Sequence, residues 1–498
     1  MSKVFAGARI RTLRKERGLT QVEMAHALGF STSYLNQLEN DHRPLTVTTL
    51  MQLTSVFSVP PEYFSGAGAA RTAAAMQQVL TTALSRSTDP AVLEDFATRF
   101  PDLAQDIILL GRRASSVTAG SVDAADPDGG TTAPALPPVP AHETVRDFFH
   151  AHSNYFDELD RAAEALSTEL PSSRAGRADG LAKLLRAKYN IRSIRVPVAA
   201  DDDGALAPRR VFDETTGVLR LRADLTRSQA AFEMAMQLAF LQYGDLLEAA
   251  LDGSPFPDES ARNLAYFGLA QYFAGATLLP YTAFLKAAEQ AHYDLDRLSD
   301  RFGTGFETTA QRLCTMQRPG ASGVPLFMLR TDRAGNISKR HSATAFHFSH
   351  QGGSCPLWVL HRAFDRPDTI FRQVATMPDG RSYLWIARAV SHANGGFDSI
   401  PTEYAIGLGC DLADAGRLVY SRGMDLEPSR AIPIGPGCAT CPRTDCMQRA
   451  FPPAGATIVI SEAESPTVPY RHVRGATTST DAESRAVDIT GRDEFLFD

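Results

Sequence analysis

The sequence lacks any run of about eighteen consecutive apolar residues, the length that a membrane-spanning helix needs. Its N-terminus leads directly into a basic segment without the apolar core of a signal peptide. Cysteine is scarce, with six residues in a chain of 498, which argues against a disulfide framework. These absences predict a cytoplasmic protein with no membrane partner.

Length and charge predict several domains, one of them cationic. A chain of 498 residues should hold two or three domains, and a hydrophobic fraction of 44% is enough for ordinary cores. The net charge is −7, yet residues 1–60 carry seven Lys and Arg against four Asp and Glu, so 7 − 4 = +3. A cationic end on an acidic chain indicates that the N-terminus binds nucleic acid.

Residues 19–43, LTQVEMAHALGFSTSYLNQLENDHR, have the pattern of a helix-turn-helix. Thr20 and Glu23 have the Thr-x-x-Glu spacing of a capping box, which fixes the start of the second helix. Ser31 can cap the third helix, which follows a glycine turn. The third helix is therefore the predicted reading helix.

The outward positions of that helix are short or planar hydrogen-bonding side chains, which suit base edges in a major groove. The predicted DNA-binding residues are Thr20, Gln21, Ser31, Thr32, Ser33, Tyr34, Asn36, Gln37 and Arg43. Arg43 is expected to hold a phosphate. The stretch from Arg9 to Phe64 resembles the phage-repressor-like, or XRE-type, DNA-binding domain, so residues 1–66 are expected to form an all-α lambda-repressor-like domain.

The next segments predict a bridge and a linker. Residues 67–113 continue as helical segments with apolar residues spaced for packing against a neighbour. Because operators for this class are commonly two-fold symmetric, we expect a homodimer or higher homo-oligomer with its interface here. Residues 114–142 contain Pro, Gly, Ser, Thr, Ala and Asp with almost no large apolar residues, which predicts a flexible linker.

Residues 143–319 are predicted to be mainly helical with a small sheet. The helix expected from Arg227 to Tyr243 is apolar nearly all round, apart from Glu233 and Gln237, which share one face. Such a helix is normally buried inside a domain.

The segments AMQLAFLQ at 235–242 and AQYFAGATLLPY at 270–281 resemble a metallopeptidase-like domain of radiation-response and phage-immunity regulators. In active members the first segment is an HExxH helix that binds zinc and activates water. Here Met236, Gln237 and Phe240 occupy those three positions. The departure predicts that the chain is not an enzyme, and a pocket without its catalyst suits a small-molecule sensor.

The middle domain also carries residues that suit a CoA-type ligand. Basic side chains lie beside the predicted strand and hairpin, and Tyr266, Phe267, Tyr272 and Phe273 offer aromatic walls for a short acyl group. Lys188 and Tyr272 are the residues that we assign to effector binding. The alternative, which residue types alone favour, is that the cations are solvated and the aromatic rings are core.

Residues 320–455 contain short strand-like segments with turn signals between them, which predicts a mostly antiparallel sheet domain. The predicted strands include CPLWVLHRAF at 355–364 and RLVYSR at 417–422. Residues 456–498 form a polar, acidic tail. The whole chain is therefore expected to be a multidomain α+β protein.

Cys438, Cys441 and Cys446 form a C-x2-C-x4-C loop between glycines and prolines. Thiolates so close repel unless they are protonated, oxidised or bound to a cation, and a [4Fe-4S] cluster or a tetrahedral zinc would take four ligands. The candidates for the fourth ligand rank in the order Cys410, Cys355, Cys314. Spacing does not decide between the two metals, although the absence of a second C-x2-C argues against a zinc ribbon.

Long passages over nearly the full length resemble the short-chain fatty acyl-CoA regulator family of bacterial transcription factors, which includes regulators of propionate, methylcitrate and glyoxylate metabolism. The passages are SYLNQLENDHRPL, YFGLAQYFAGATLLPY, RLCTMQRPGASGVPLFMLRTDRAGNISKR and CATCPRTDCMQRAFPP. The resemblance implies a short-chain acyl-CoA effector in the middle domain and, in some members, an iron-sulfur cluster on the C-terminal cysteines.

The main hypothesis is a regulator of short-chain acyl-CoA metabolism whose binding to double-stranded promoter DNA changes when propionyl-CoA or acetyl-CoA occupies residues 143–319. One alternative is an iron-sulfur redox sensor in which the middle domain is only a scaffold. Another is a regulator that cleaves a partner protein, against which the missing HExxH argues.

Overall fold

The computed structural model describes residues 6–40, 42–57, 59, 66–84, 88–120, 140–171, 174–197, 207–344, 346, 354–392, 401–452, 457–458, 460, 465, 467–468 and 472–473. Along the chain these form a helical head, a helical bridge, a helical middle domain with a small sheet, and a C-terminal sheet domain. This is the multidomain α+β architecture that the sequence predicts.

The head packs short helices around one apolar core. Its helices are α1 (Gly7–Glu16), α2 (Gln21–Ala27), α3 (Thr32–Glu39) and α4 (Val47–Phe57). The core includes Ile10, Leu13, Met24, Leu28, Leu35, Leu38 and Leu53. Because Leu35 and Leu38 of α3 point into this core, the side chains on its opposite face, among them Thr32, Ser33 and Asn36, are exposed.

The bridge consists of α5 (Gly66–Leu84), α6 (Pro90–Arg99) and α7 (Pro101–Gly120), which pack on one another. Asp89 caps α6 by accepting from the backbone N–H of Ala91 at 2.9 Å, and a proline occupies the first helical position. Helix α6 also contacts α1, so the bridge is in direct contact with the head.

The linker begins later than predicted. Helix α7 continues to Gly120, so residues 114–120 are helical, and no proline or glycine lies between Arg113 and Gly120 to end the helix earlier. Residues 121–139 lie outside the described residues, and the next helix begins at Ala141.

The middle domain is mainly helical. Its helices are α8 (Ala141–Ala151), α9 (Asp157–Thr168), α10 (Arg174–Tyr189), α11 (Arg227–Gln242), α12 (Gly244–Ala249), α13 (Glu259–Leu278), α14 (Tyr281–Gln290), α15 (Leu295–Phe302) and α16 (Phe306–Leu313). Helix α11 packs between α10 and α13. In the described part of the chain, no helix combines the length and apolar character needed to cross a membrane.

A small three-stranded sheet lies between α10 and α11 in the sequence. Strands β1 (Arg192–Val196), β2 (Arg210–Asp213) and β3 (Val218–Arg222) are arranged in the order β1-β3-β2. The β2–β3 hairpin is antiparallel, as predicted, whereas β1 runs parallel to β3.

The C-terminal domain is a six-stranded sheet in the order β5-β4-β8-β7-β6-β9. Its strands are β4 (Leu326–Thr331), β5 (Ile337–Ser342), β6 (Phe371–Thr376), β7 (Ser382–His392), β8 (Thr402–Asp411) and β9 (Ile432–Pro433). All pairs are antiparallel except β6 with β9. A separate two-stranded sheet joins β10 (Thr457–Ile458) to β11 (His472–Val473).

The two faces of the six-stranded sheet belong to different cores. Leu326 and Met328 of β4 join the core of the middle domain, whereas Phe327 and Leu329 join a second core on the opposite face. Successive residues of a strand point to opposite faces, so this alternation follows directly from the strand. The sheet is therefore one wall of the middle domain.

Two predicted strands are wrong. The second half of residues 355–364 belongs to a 3₁₀ helix, Val359–Asp365. Residues 417–422 begin at the end of the 3₁₀ turn Leu412–Arg417 and include a second one, Val419–Ser421. Their backbone N–H groups bond three residues back, as from Trp358 to Cys355 at 3.1 Å, so they are not available to a neighbouring strand.

Candidate functional site

Two side-chain caps hold the helix-turn-helix in place. At the start of α2, Thr20 Oγ1 accepts from the backbone N–H of Glu23 at 3.3 Å, and the Glu23 carboxylate accepts from the Thr20 N–H at 2.7 Å. At the start of α3, Ser31 Oγ accepts from the backbone N–H of Tyr34 at 3.1 Å. The predicted capping box and serine cap are both present.

Most of the predicted DNA-binding side chains lie on the surface of the head. The exposed ones are Thr20, Ser31, Thr32, Ser33, Asn36 and Arg43, while Gln21, Tyr34 and Gln37 are half-buried. Asn36 Oδ1 accepts from Asn40 Nδ2 at 2.7 Å and from Gln21 Nε2 at 3.3 Å. These bonds hold the Asn36 amide in one orientation, which favours directional contact with a base edge.

Tyr34 has a different environment from its neighbours on α3. Its ring packs edge-on against Phe30, with centroids 5.2 Å apart, and its hydroxyl lies 3.1 Å from Thr49 Oγ1 on α4. The Arg43 guanidinium lies 5.6 Å from the centroid of the Tyr34 ring. Tyr34 therefore fixes α3 against α4 and supports Arg43, and its contact with a base remains a prediction.

A buried ion pair beneath this face was missed from the sequence. Glu39 of α3 is 3% exposed, and its carboxylate accepts from Arg14 Nε at 2.6 Å and from Gln21 Nε2 at 3.0 Å. One carboxylate thus joins α1, α2 and α3. Leu35, Leu38 and Glu39 have i, i+3, i+4 spacing, and this was the available signal that Glu39 faces inward.

Helix α11 carries the three positions of the HExxH pattern. Met236 and Gln237 are buried, and Phe240 stacks on Tyr266 and Phe267 of α13 with ring centroids 5.8 and 6.3 Å apart. A thioether, an amide and a phenyl ring supply neither the two imidazoles nor the general base of an HExxH zinc site. The helix is thus retained without its catalytic side chains.

A poorly solvated guanidinium lies beside Phe240. Arg210 of β2 has its Cζ 5.1 Å from the Phe240 ring centroid and its Nε 3.9 Å from the Glu233 carboxylate. Burial lowers the pKa of Arg210 and raises the pKa of Glu233. Within the described residues Arg210 Nη1 has no hydrogen-bond partner. A cationic donor is therefore available next to a partly exposed aromatic group.

The two predicted effector residues lie in different environments. Tyr272 is 7% exposed, and its hydroxyl donates to Asp160 Oδ2 at 2.6 Å. Lys188 is exposed in the last turn of α10. The predicted aromatic residues likewise differ in exposure, since Tyr272 and Phe273 are buried whereas Phe267 is 43% exposed. Both effector assignments remain predictions.

Asp160 of α9 is the centre of a buried ionic network. Arg312 donates to both of its carboxylate oxygens, at 2.6 and 3.1 Å. Arg318 Nη2 donates to Asp160 Oδ1 at 3.2 Å and to Glu164 Oε2 at 3.0 Å. Arg312 lies on α16 and Arg318 follows it on the way to β4. The network therefore anchors the segment that connects the middle domain to the sheet.

Four cysteines line one small cavity at the edge of the C-terminal sheet. They are Cys355, Cys438, Cys441 and Cys446, together with Gly435, Arg443 and Arg449 among others. A Cβ atom built on Gly435 would lie 2.5 Å from Cys441 Sγ, so only glycine leaves room for that sulfur. Trp358 Nε1 donates to the Gly435 carbonyl at 3.0 Å, which fixes the loop on the sheet.

The structure reverses the order of the candidates for the fourth cysteine. Cys410 of β8 lies in the core shared with the middle domain, on the face of the sheet opposite to that of Cys355. Cys355 joins the same core as Ile434, which immediately precedes the loop that carries the other three cysteines. Cys355, and not Cys410, therefore lines the cavity with the other three cysteines, and the identity of a fourth ligand stays a prediction.

Backbone N–H groups donate hydrogen bonds to two of these sulfurs. The N–H of Gly435 donates to Cys355 Sγ at 3.4 Å, and the N–H of Ala450 donates to Cys438 Sγ at 3.5 Å. Burial raises the pKa of Cys355 to about 11. Across the described ranges no three His, Cys, Asp or Glu side chains are arranged as a closed ligand set, so binding a metal would require the thiols to rotate toward one centre.

A capped helix-turn-helix with an exposed polar reading helix, followed by a peptidase-like domain without its HExxH residues, defines a DNA-binding transcription regulator. Residues 10–64 match the family described as helix-turn-helix. Residues 191–314 match the IrrE N-terminal-like domain, and residues 315–470 match the C-terminal region of short-chain fatty acyl coenzyme A regulators.

Relatives match the chain over nearly its whole length. The HTH-type transcriptional regulator PrpR of Mycobacterium tuberculosis is 46% identical over 474 residues, which are 94% of this chain and 96% of that protein. RamB of the same species is 41% identical over 477 residues, or 94% and 99% of the two chains. The propionyl-CoA carboxylase regulator of Cereibacter sphaeroides is 40% identical over 472 residues, or 95% and 99%.

A solved structure described as a Mycobacterium tuberculosis transcriptional regulator is 47% identical, with a TM-score of 0.62. It covers 66% of this chain and 99% of its own. This chain belongs to the short-chain fatty acyl-CoA regulator family of transcription regulators.

Proposed function

We propose that this protein regulates short-chain acyl-CoA metabolism by binding promoter DNA through its head and a short acyl-CoA, propionyl-CoA or acetyl-CoA, in its middle domain. The observation that carries the proposal is α11, which keeps the buried position of a peptidase helix but presents Met236, Gln237 and Phe240. A domain that keeps such a helix without the catalytic side chains is suited to binding without catalysis. The names of the relatives, among them a propionyl-CoA carboxylase regulator, support this ligand class.

The ligand chemistry is supported by the surroundings of α11. An acyl-CoA needs cations for its phosphates and an apolar slot for its acyl group. Arg210 provides an unpaired donor over Phe240, and Tyr266 and Phe267 extend the aromatic surface. Lys188 is exposed and could reach a phosphate from the end of α10.

Binding of acyl-CoA is proposed to change the affinity of the head for DNA. A coupling free energy of roughly 1–3 kcal/mol would give a change of about 5- to 150-fold. Linkage then requires DNA to change the affinity for acyl-CoA by the same factor.

We further propose that the protein binds DNA as a homodimer through the bridge. Helices α6 and α7, and the residue that joins them, expose a set of apolar side chains whose exposed fractions are about half or more, and these are Val92, Phe100, Leu103 and Leu110. Exposed apolar surface of this kind favours a protein contact, and a two-fold operator calls for a second reading helix.

The second candidate function is redox sensing at the cysteine site. The observation that favours it is the cavity shared by Cys355, Cys438, Cys441 and Cys446. These four residues would hold a [4Fe-4S] cluster or, alternatively, zinc. When bound, a cluster supplies one-electron redox chemistry, and zinc supplies a fixed tetrahedral anchor.

The test is the affinity of anaerobically purified protein for its own upstream DNA at fixed salt, with acetyl-CoA, propionyl-CoA, free CoA or no ligand. We expect one acyl-CoA, and not free CoA, to change the affinity. If no acyl-CoA changes it but exposure to air does, the redox function replaces the metabolite function.

A further inference from the structure

Arg449 is a buried cation in the wall of the cysteine cavity. It is 4% exposed, and its acceptors are backbone carbonyls rather than carboxylates. Nη1 donates to the carbonyls of Cys438 and Phe451 at 3.0 and 3.1 Å, and Nη2 donates to those of Cys441, at 3.1 Å, and Arg443. One side chain therefore ties together both ends of the C-x2-C turn and the residues that follow it.

One donor of this guanidinium is unused. Among the described residues Arg449 Nε has no hydrogen-bond partner, although it is shielded from solvent. A buried N–H without an acceptor is costly, and a bound group that supplies the missing acceptor is one way in which a protein offsets that cost. The residues that line the same cavity include all four cysteines of the site and the two glycines Gly435 and Gly437.

The charge of the site also indicates an anion. Arg443 lines the same cavity, and its guanidinium donates to the carbonyls of Ile434 and Thr376 at 2.9 and 2.7 Å. In the parts of the chain that the structure describes, neither Arg443 nor Arg449 forms an ion pair with a carboxylate. Four thiolates around Zn²⁺, or around an oxidised [4Fe-4S] core, carry two net negative charges, which two arginines would balance.

We propose that Arg449 is a positioning residue for the group held by Cys355, Cys438, Cys441 and Cys446. It holds the loop carbonyls so that the sulfurs face the cavity, and its Nε–H is kept for a sulfur of the loaded site. This inference rests on the proposed cofactor. Hydrogen bonds and cations around the sulfurs favour the more negative, reduced form of a cluster, so Arg449 is expected to raise its reduction potential.

The experiment compares wild-type protein with Arg449→Gln, Arg449→Lys and the control Arg430→Gln, in which an exposed arginine paired with Asp425 is changed. After anaerobic reconstitution, we would measure iron, sulfide and zinc per chain, retention against a chelator, and the midpoint potential of any cluster. For Arg449→Gln we expect retention about 10- to 100-fold weaker and a midpoint potential shifted to a more negative value. Arg449→Lys should keep the potential closer to wild type but still lose retention, because an ammonium cannot bond four carbonyls.

Wild-type retention and potential in Arg449→Gln would overturn the role of Arg449 while leaving the cofactor in place. If Arg449→Gln does not fold, the test is how well Arg449→Lys retains iron or zinc against the chelator. Retention equal to that of the wild-type protein would contradict the proposal. If wild-type protein and the Arg430→Gln control take up no iron, sulfide or zinc, the proposed cofactor itself fails.

Discussion

The guanidinium of Arg312 donates to both carboxylate oxygens of Asp160, at 2.6 and 3.1 Å, in a fully buried position. Such a pair is strongly destabilising to break from one side, because the remaining charge stays in the core. We expect Asp160→Asn to lower the free energy of unfolding by about 3–5 kcal/mol, measured by denaturant unfolding. The control is Glu248→Gln, which removes an exposed partner of Arg262 and should change stability by less than about 1 kcal/mol. Equal stability of the two variants would contradict the importance of the network.

Asn36 and Arg43 should affect DNA binding in different ways. Asn36→Ala should relax sequence preference, with a loss of about 1–3 kcal/mol on the preferred site only, because its exposed amide is held in one orientation and is proposed to contact a base edge. Arg43→Ala should weaken binding to every DNA and reduce the salt slope by about one, because Arg43 is proposed to contact a phosphate. Binding titrations on specific and scrambled DNA at several salt concentrations would distinguish them. A loss of equal size on both DNAs for Asn36→Ala would show that the reading face is assigned wrongly.

The choice between Cys355 and Cys410 can be checked directly. Cys355→Ser should remove most of the iron or zinc that the protein binds, whereas Cys410→Ser should retain it, because Cys410 lies on the other face of the sheet. Metal content after anaerobic purification is the measurement. Retention in Cys355→Ser together with loss in Cys410→Ser would restore the original order of the candidates.

The dimer contact can be tested on α7. Leu103→Glu places a charge in the exposed apolar set of the bridge and should weaken self-association at least about tenfold, which is about 1.4 kcal/mol. Gln105→Glu, at an exposed polar position of the same helix, is the matched control. Sedimentation at several protein concentrations gives the association constant. An unchanged association constant in Leu103→Glu would show that the interface does not include this part of α7.

Stability should fall on acidification partly through His341. Loss of solvent around this side chain lowers its pKa from 6.5 to about 4 in the folded chain, and its Nδ1 lies 3.3 Å from Asn154 Oδ1. The unfolded chain therefore binds a proton first, so this contribution is full above about pH 6.5 and decreases as the pH falls toward 4. His341→Gln should show a shallower decrease over that window. Parallel stability curves for the two proteins would rule out this contribution.

Local patterns predicted the head well and the cysteine site only in part. The helix caps are local, because each of Thr20, Glu23 and Ser31 bonds a group only three residues away. Their spacing is therefore sufficient to identify the caps. Which cysteine lies next to the other three depends on the face of the sheet that each residue occupies and on the segments that meet at that face. Cys410 and Cys355 differ in that respect, and no local spacing contains the information.

Composition alone also did not show whether an apolar segment forms a strand or a 3₁₀ helix. CPLWVLHRAF has the composition of a buried strand, yet it forms a 3₁₀ helix whose Trp358 and Val359 cover the sheet instead of extending it. Glu39 shows the reverse case, since its i+4 spacing from Leu35 pointed inward although its residue type suggested the surface. Tertiary contacts determine both the conformation of the CPLWVLHRAF segment and the burial of Glu39.

The six-stranded sheet has a consequence for how the chain can be divided. The matches to two families meet between residues 314 and 315, but Leu326, Met328, Leu384, Ile386, Ile406 and Leu408 on one face of the sheet complete the core of the preceding helices. A fragment ending at 314 would expose that core to water, and a fragment starting at 315 would expose the same face of the sheet. The boundary that separates two sequence families is therefore not a boundary between folding units, and we expect the helices and the sheet to unfold together.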